Sequence, residues 1–180
     1  MKDRRNFKVL FNPTQDQRLE REPLLAFSFY LSGKNNILLS LSDTIIEQLD
    51  EGFSDRKNLN INLIGEASSS FWFWSLGAYE VVRTISQAKD CFSTTFIDKI
   101  NTLKKQLSIV RMPSAKMEEQ GRKKPVNSNR SPDDWEINSK DLLVGSPDNP
   151  ISARYLIELY DQTLCSLTPT DVIKRHEESY

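Results

Sequence analysis

One histidine, His176, and two cysteines, Cys91 and Cys165, are the only nitrogen and sulfur ligands or nucleophiles of their kind in the 180-residue chain. His176 stands among Arg175, Glu177 and Glu178, a setting that predicts a solvated helix surface. Structural zinc takes four Cys or His ligands at close pairwise spacings, so these scattered residues make no such site. Neither a metal nor another cofactor is expected. A Cys–His nucleophile pair would require the fold to bring Cys91 or Cys165 to His176. The six glycines are dispersed, with neither a Walker pattern nor a dinucleotide fingerprint. Acidic clusters at Asp133-Asp134-Glu136 and Glu177-Glu178 lie in polar segments where carboxylates are ordinarily solvated. No residue set qualifies as catalytic.

Glu80 and Arg83 carry more information. A carboxylate and a guanidinium three residues apart on a helix can pair, either as a structural ion pair or as the edge of a polar cleft. In the second case Arg83, with Tyr79 and Gln87 nearby, would bind an anion or a partner's carboxylate. Charge is also uneven further on. From Lys104 to Arg130 there are eight basic residues, including Arg111, Arg122, Lys123 and Lys124, against two acidic ones. From Ser131 to Tyr180 the balance reverses, with four basic residues against ten acidic. Such blocks either neutralise each other across the fold or form a basic patch that holds nucleic acid weakly.

These residues must be positioned by helices. Ser68-Ser69-Ser70 offer N-cap oxygens to a helix running to Gln87. At 100° per residue, Trp74, Ala78, Val81, Val82 and Ile85 fall beside Phe71 on one side. The opposite arc mixes Glu80, Arg83, Thr84 and Gln87 with Phe73, Leu76 and Gly77. A simple surface helix would not expose those last three, and glycine permits close helix approach, so they are candidates for self-association. A second helix is expected from Ser93 to Val110, with Phe96, Ile100, Leu103, Leu107 and Val110 at bundle-like spacings of four and three, ended by Pro113. A third would start at Asn149-Pro150 and turn Ile151, Tyr155, Leu156, Leu159, Tyr160 and Leu164 inward. A short terminal helix is capped by Thr168, with Asp171 at its third position.

The first sixty residues are ambiguous between helix and strand. Ser42 to Gly52 reads as a helix, whereas Phe27 to Tyr30 and Asn60 to Ile64 have the aromatic and β-branched content of strands. The expected fold is therefore mainly α, an antiparallel helical bundle over residues 1–180, with a small β element in the N-terminal third. Between Pro113 and Pro150 no amphipathic period is visible. This long polar loop is a local candidate for function, its second half pinned by Trp135, Ile137 and Leu142-Leu143-Val144.

Composition sets the class. A hydrophobic share of 38% and a charged share of 27% exclude wholesale disorder, and a net charge of −1 excludes a global field for nucleic acid or an anionic membrane. The longest apolar stretch, Phe71 to Leu76, is too short to span a bilayer. With no export signal and two widely separated cysteines, a cytoplasmic location is expected.

A helical bundle with a Glu80–Arg83 stripe resembles the HEPN class of bacterial helical domains, over Ser68 to Leu167. Active members of that class carry an arginine followed four to six residues later by a histidine, and that ribonuclease motif is absent here. The resemblance implies a non-catalytic binding or scaffold protein. The expected function is thus an interaction protein acting through homo-oligomerisation or a macromolecular partner. The alternative is an RNA-acting nuclease or toxin-antitoxin or defence component using Arg83, Arg111 and the basic segment.

Overall fold

A computed structural model describes residues 14–116, 134–146 and 149–176. Among them are six α-helices: α1 (Gln15–Arg21), α2 (Leu24–Phe27), α3 (Phe29–Gly52), α4 (Ile61–Gln87), α5 (Thr94–Lys116) and α6 (Ala153–Cys165). Three strands, β1 (Asp134–Glu136), β2 (Asp141–Ser146) and β3 (Asn149–Ser152), form one antiparallel sheet in that order.

Among the described residues the N-terminal third, from residue 14 on, holds helices and no strand, which corrects the expected location of the β element. Ser28 is the reason at the first candidate strand, because its Oγ accepts from the Leu31 N–H at 3.2 Å and caps α3. Helical spacing buries Leu24 and Phe27 on α2, and beyond the extended Ser28 the first turn of α3 buries Leu31 while Phe29 and Tyr30 turn outward. At the second candidate strand Asn60 caps α4 through its Oδ1 and the Leu63 N–H. This helix therefore starts at Ile61, nearly three turns earlier than the serine triplet predicts.

Helices α3 and α4 run antiparallel, as three contacts along their length establish. Gly52 lies against Ile64, Gln48 Nε2 donates to Glu66 Oε2 at 3.2 Å, and Leu38 lies against Gly77. Helix α5 returns along α4, with Ser86 Oγ donating to Asn101 Oδ1 at 2.9 Å. The inward face expected for α4 is observed: Phe71, Trp74, Ala78, Val81, Val82 and Ile85 are all buried, as are Phe96, Ile100, Leu103, Leu107 and Val110 of α5. Pro113 does not end α5. It lies inside the helix with its side chain buried, so one missing N–H is tolerated for a further turn.

The second half of the expected loop is the sheet. Leu142 and Val144 are buried in the core, as their apolar run suggested, whereas Trp135 and Ile137 are about two-fifths exposed, the Trp135 ring standing edge-on to buried Phe53 at 6.4 Å. The hairpin also moves the start of α6. Residues 149–152 are β3, and Ser152, rather than Asn149, is the N-cap, accepting from Tyr155 N–H at 2.9 Å. In this register Leu156, Tyr160 and Leu164 point inward and Tyr155 does not. Buried Asp141 secures the junction: its Oδ1 accepts from the Leu142 and Arg154 N–H groups at 2.8 and 3.2 Å, and its Oδ2 from Ser152 Oγ. Arg154 continues the link to α3 through Asp50 Oδ1 at 2.8 Å. At the centre, Trp74 meets the Tyr160 ring edge-on at 5.5 Å, and the Tyr160 hydroxyl donates to Asn35 Oδ1 at 2.8 Å. Burial pushes the Tyr160 phenol far above its ordinary range, so it stays a neutral donor.

The terminal helix is a single 3-10 turn, Pro169–Asp171, with the expected Thr168 cap and Asp171 partner. Asp171 then reaches 78 residues back, accepting from Ser93 Oγ at 2.5 Å while its carbonyl takes the Ser93 N–H at 2.8 Å.

Candidate interaction face

Two edges of α4 meet solvent, one towards α5 and one towards α3. On the α5 side, Arg83 Nε and Nη2 stand 2.7 and 2.6 Å from Glu80 Oε2, so the expected pair forms. Both side chains remain over 40% exposed, which limits the pair to about 1 kcal/mol or less. Arg111 joins them across the helix seam. Its Nη2 lies 4.0 Å from Glu80 Oε1 and its guanidinium carbon 5.2 Å from the centre of the Tyr79 ring, a cation–π arrangement. One turn on, Lys104 Nζ donates to Ser86 Oγ at 2.9 Å. Gln87 is exposed at the end of α4 and makes no part of this group among the described contacts. Arg122, Lys123 and Lys124 lie outside the described residues.

On the α3 side, Phe73 is 62% exposed, while Leu76 and Gly77 are half-buried. Gly77 has a different role from the one its type suggested. A Cβ there would stand 2.9 Å from Leu38 Cδ2, so the close approach that glycine permits is made within the chain, between α4 and α3. The adjoining surface pairs residues of α4 already singled out with α3 residues that sequence reasoning missed. Tyr30, Lys34 and Ile37 of α3 and Gly77, Glu80 and Thr84 of α4 line a groove of about 280 Å³. Tyr30 and Ile37 are 71% and 61% exposed. Lys34 Nζ lies 5.1 Å from the centre of the Tyr30 ring. The missed signal is the helix itself: once Ser28 is recognised as a cap, positions 30, 34 and 37 fall on one face at spacings of four and three.

His176 is half-buried with its ring edge-on to Phe27 at 5.2 Å, rather than fully solvated. Cys91 is buried, and Cys165 Sγ lies 3.4 Å from Asp161 Oδ1. Among the described residues no group of three or more His, Cys, Asp or Glu side chains is placed to hold a metal ion. None of the described helices is long and apolar enough to cross a membrane. No protein-family model, curated protein or solved structure matches the chain.

Proposed function

We propose that this is a non-catalytic interaction protein whose working surface is the outward face of α3 and α4, engaging a copy of itself or another macromolecule. The observation that carries this reading is the exposure of Tyr30, Ile37 and Phe73 along one helix pair, at the groove and beside it. Large apolar side chains gathered on a helical face and left in water lose the hydrophobic free energy that burial would supply, and a partner recovers it. The polar edge formed by Lys34, Glu80, Arg83 and Arg111 would then set register and orientation, since half-exposed charges contribute more to specificity than to affinity. Placing a photo-activatable side chain at Phe73, with Glu158 as an exposed control, tests the reading in cells that make the protein. A discrete macromolecular adduct at Phe73 and none at Glu158 is expected. The absence of any adduct at Phe73 would reject this face as the working surface.

A second reading has one observation behind it. Arg83, Lys104 and Arg111 follow the seam between α4 and α5 with Glu80 the carboxylate among them, an arrangement that suits phosphate contacts and the RNA-acting function associated with the HEPN-like resemblance. Retention of single-stranded RNA at physiological salt, or cleavage lost in Arg83→Ala and Arg111→Ala, would favour it. Binding that vanishes as salt rises favours the interaction protein.

A further inference from the structure

The interaction face carries a more specific arrangement, which rests on the reading of that face given above. We infer that its occupant is a second copy of this chain, docked about a two-fold axis parallel to the helices so that Lys34 of each copy lies beside Glu80 of the other.

The levels along the helix pair supply the geometry. Gly52 against Ile64, Gln48 with Glu66 and Leu38 against Gly77 define an antiparallel register, in which a step up α3 is a step back along α4. Continuing that register sets Lys34 level with Glu80 and Val81, Tyr30 level with Thr84, and Leu41 close to Phe73. The groove, lined by Tyr30, Lys34, Glu80, Val81 and Thr84 together, agrees with those levels.

A two-fold axis running along the groove preserves level and exchanges sides. Helix α3 of one copy then lies over α4 of the other, antiparallel to it, and the two hairpins close into a four-helix arrangement. Lys34 meets Glu80 twice, once on each side of the axis. The exposed side chains Tyr30 and Ile37 are both wall and plug, because each stands level with the groove of the opposing copy. A two-fold axis perpendicular to the helices at the same level behaves oppositely, placing Lys34 over Lys34 and Glu80 over Glu80. Like charges brought together in this way are repelled, so the charge pattern selects the parallel axis. Glu80 has capacity for the contact. Its Oε2 carries both Arg83 bonds, while Oε1 is 4.0 Å from Arg111, beyond hydrogen-bond distance, and an ammonium on the open side can approach it.

Single-cysteine cross-linking decides the arrangement, in the full chain with Cys165→Ser to remove the half-buried native thiol. Lys34→Cys and Glu80→Cys replace exposed or half-exposed side chains, so both variants retain the core. Mixed under mild oxidation they are expected to give a reducible cross-linked dimer, with far less from either alone. The chain without introduced cysteines should scatter light with twice the mass of one chain at high micromolar concentration, and Lys34→Gln should weaken that dimer roughly tenfold through the two lost pairs. A monomer at that concentration overturns the second-copy proposal, while adducts at Phe73 would leave the face itself in place as a surface for another partner. A dimer in which Lys34→Cys cross-links only to itself overturns the axis.

Discussion

The junction at Asp141 and the outward face of α3 and α4 solve opposite problems. At the junction a carboxylate is taken out of water, yet both its oxygens accept hydrogen bonds within the chain, from Leu142, Ser152 and Arg154. On the outward face Tyr30, Ile37 and Phe73 are apolar and left in water. The polar network at Asp141 is therefore satisfied within the chain, whereas the outward face leaves apolar surface in water, the feature on which the proposed interaction rests. Polar residues usually attract functional attention first, and in this molecule they hold a hairpin to a helix.

Breaking the junction should have the largest effect. Asp141→Ala leaves the α6 cap hydroxyl and two backbone N–H groups without their acceptor, and should cost about 2–4 kcal/mol in urea unfolding. A cost near zero would show that the network is dispensable and erase the contrast. Gly77→Val comes next, because a side chain there meets the terminal methyl of Leu38, so that either this side chain or the spacing of α3 and α4 has to give. About 1–3 kcal/mol is expected by the same measurement, with the groove altered as well. No loss would mean that Leu38 swings aside and that the helix spacing is not set by this glycine.

A smaller, pH-dependent effect belongs to Asp171. Burial tends to raise its pKa, but hydrogen bonds from Ser93 and from the Thr168 side chain and backbone, with the positive charge of Lys99, outweigh that and hold it below its ordinary 3.8. Because the folded value is the lower one, the carboxylate contributes stability that is present above the ordinary value and lost as pH falls through the folded one. Unfolding followed across acid pH should therefore lose part of its slope in Asp171→Asn. An unchanged slope would assign acid sensitivity to other carboxylates. The least expected change in stability is on the outward face: Phe73→Ser should alter unfolding by no more than about 0.5 kcal/mol, since the side chain is mostly exposed. A larger loss would place Phe73 in the structural half of the comparison.

Much of the bundle was legible because buried helix faces repeat every three and four residues. The inward residues of α4 and α5 and the Thr168–Asp171 cap follow from spacing and cap chemistry, both local properties. Glu80 and Arg83 were legible as a pair for the same reason, being three residues apart on one helix. Arg111 was not, since it reaches Glu80 only where α5 folds back along α4.

What the sequence by itself determined is the helical character of the chain, the inward faces of its central helices and the scarcity of residues for metal or thiol chemistry. These depend on residue type and short spacing alone. Tertiary structure decided the rest. It turned the aromatic run at Phe27 to Tyr30 into a junction between two helices, because the end of α2 buries Phe27 while the first turn of α3 buries Leu31 and leaves Phe29 and Tyr30 outside. It made a hairpin of part of the polar excursion, because Asp141 and the apolar pair Leu142 and Val144 find partners in α6 and the core. It also assigned Gly77 to an internal helix contact and assembled the groove from Tyr30, Lys34 and Ile37 on one helix and Glu80 and Thr84 on another, residues some fifty positions apart that only antiparallel packing brings level.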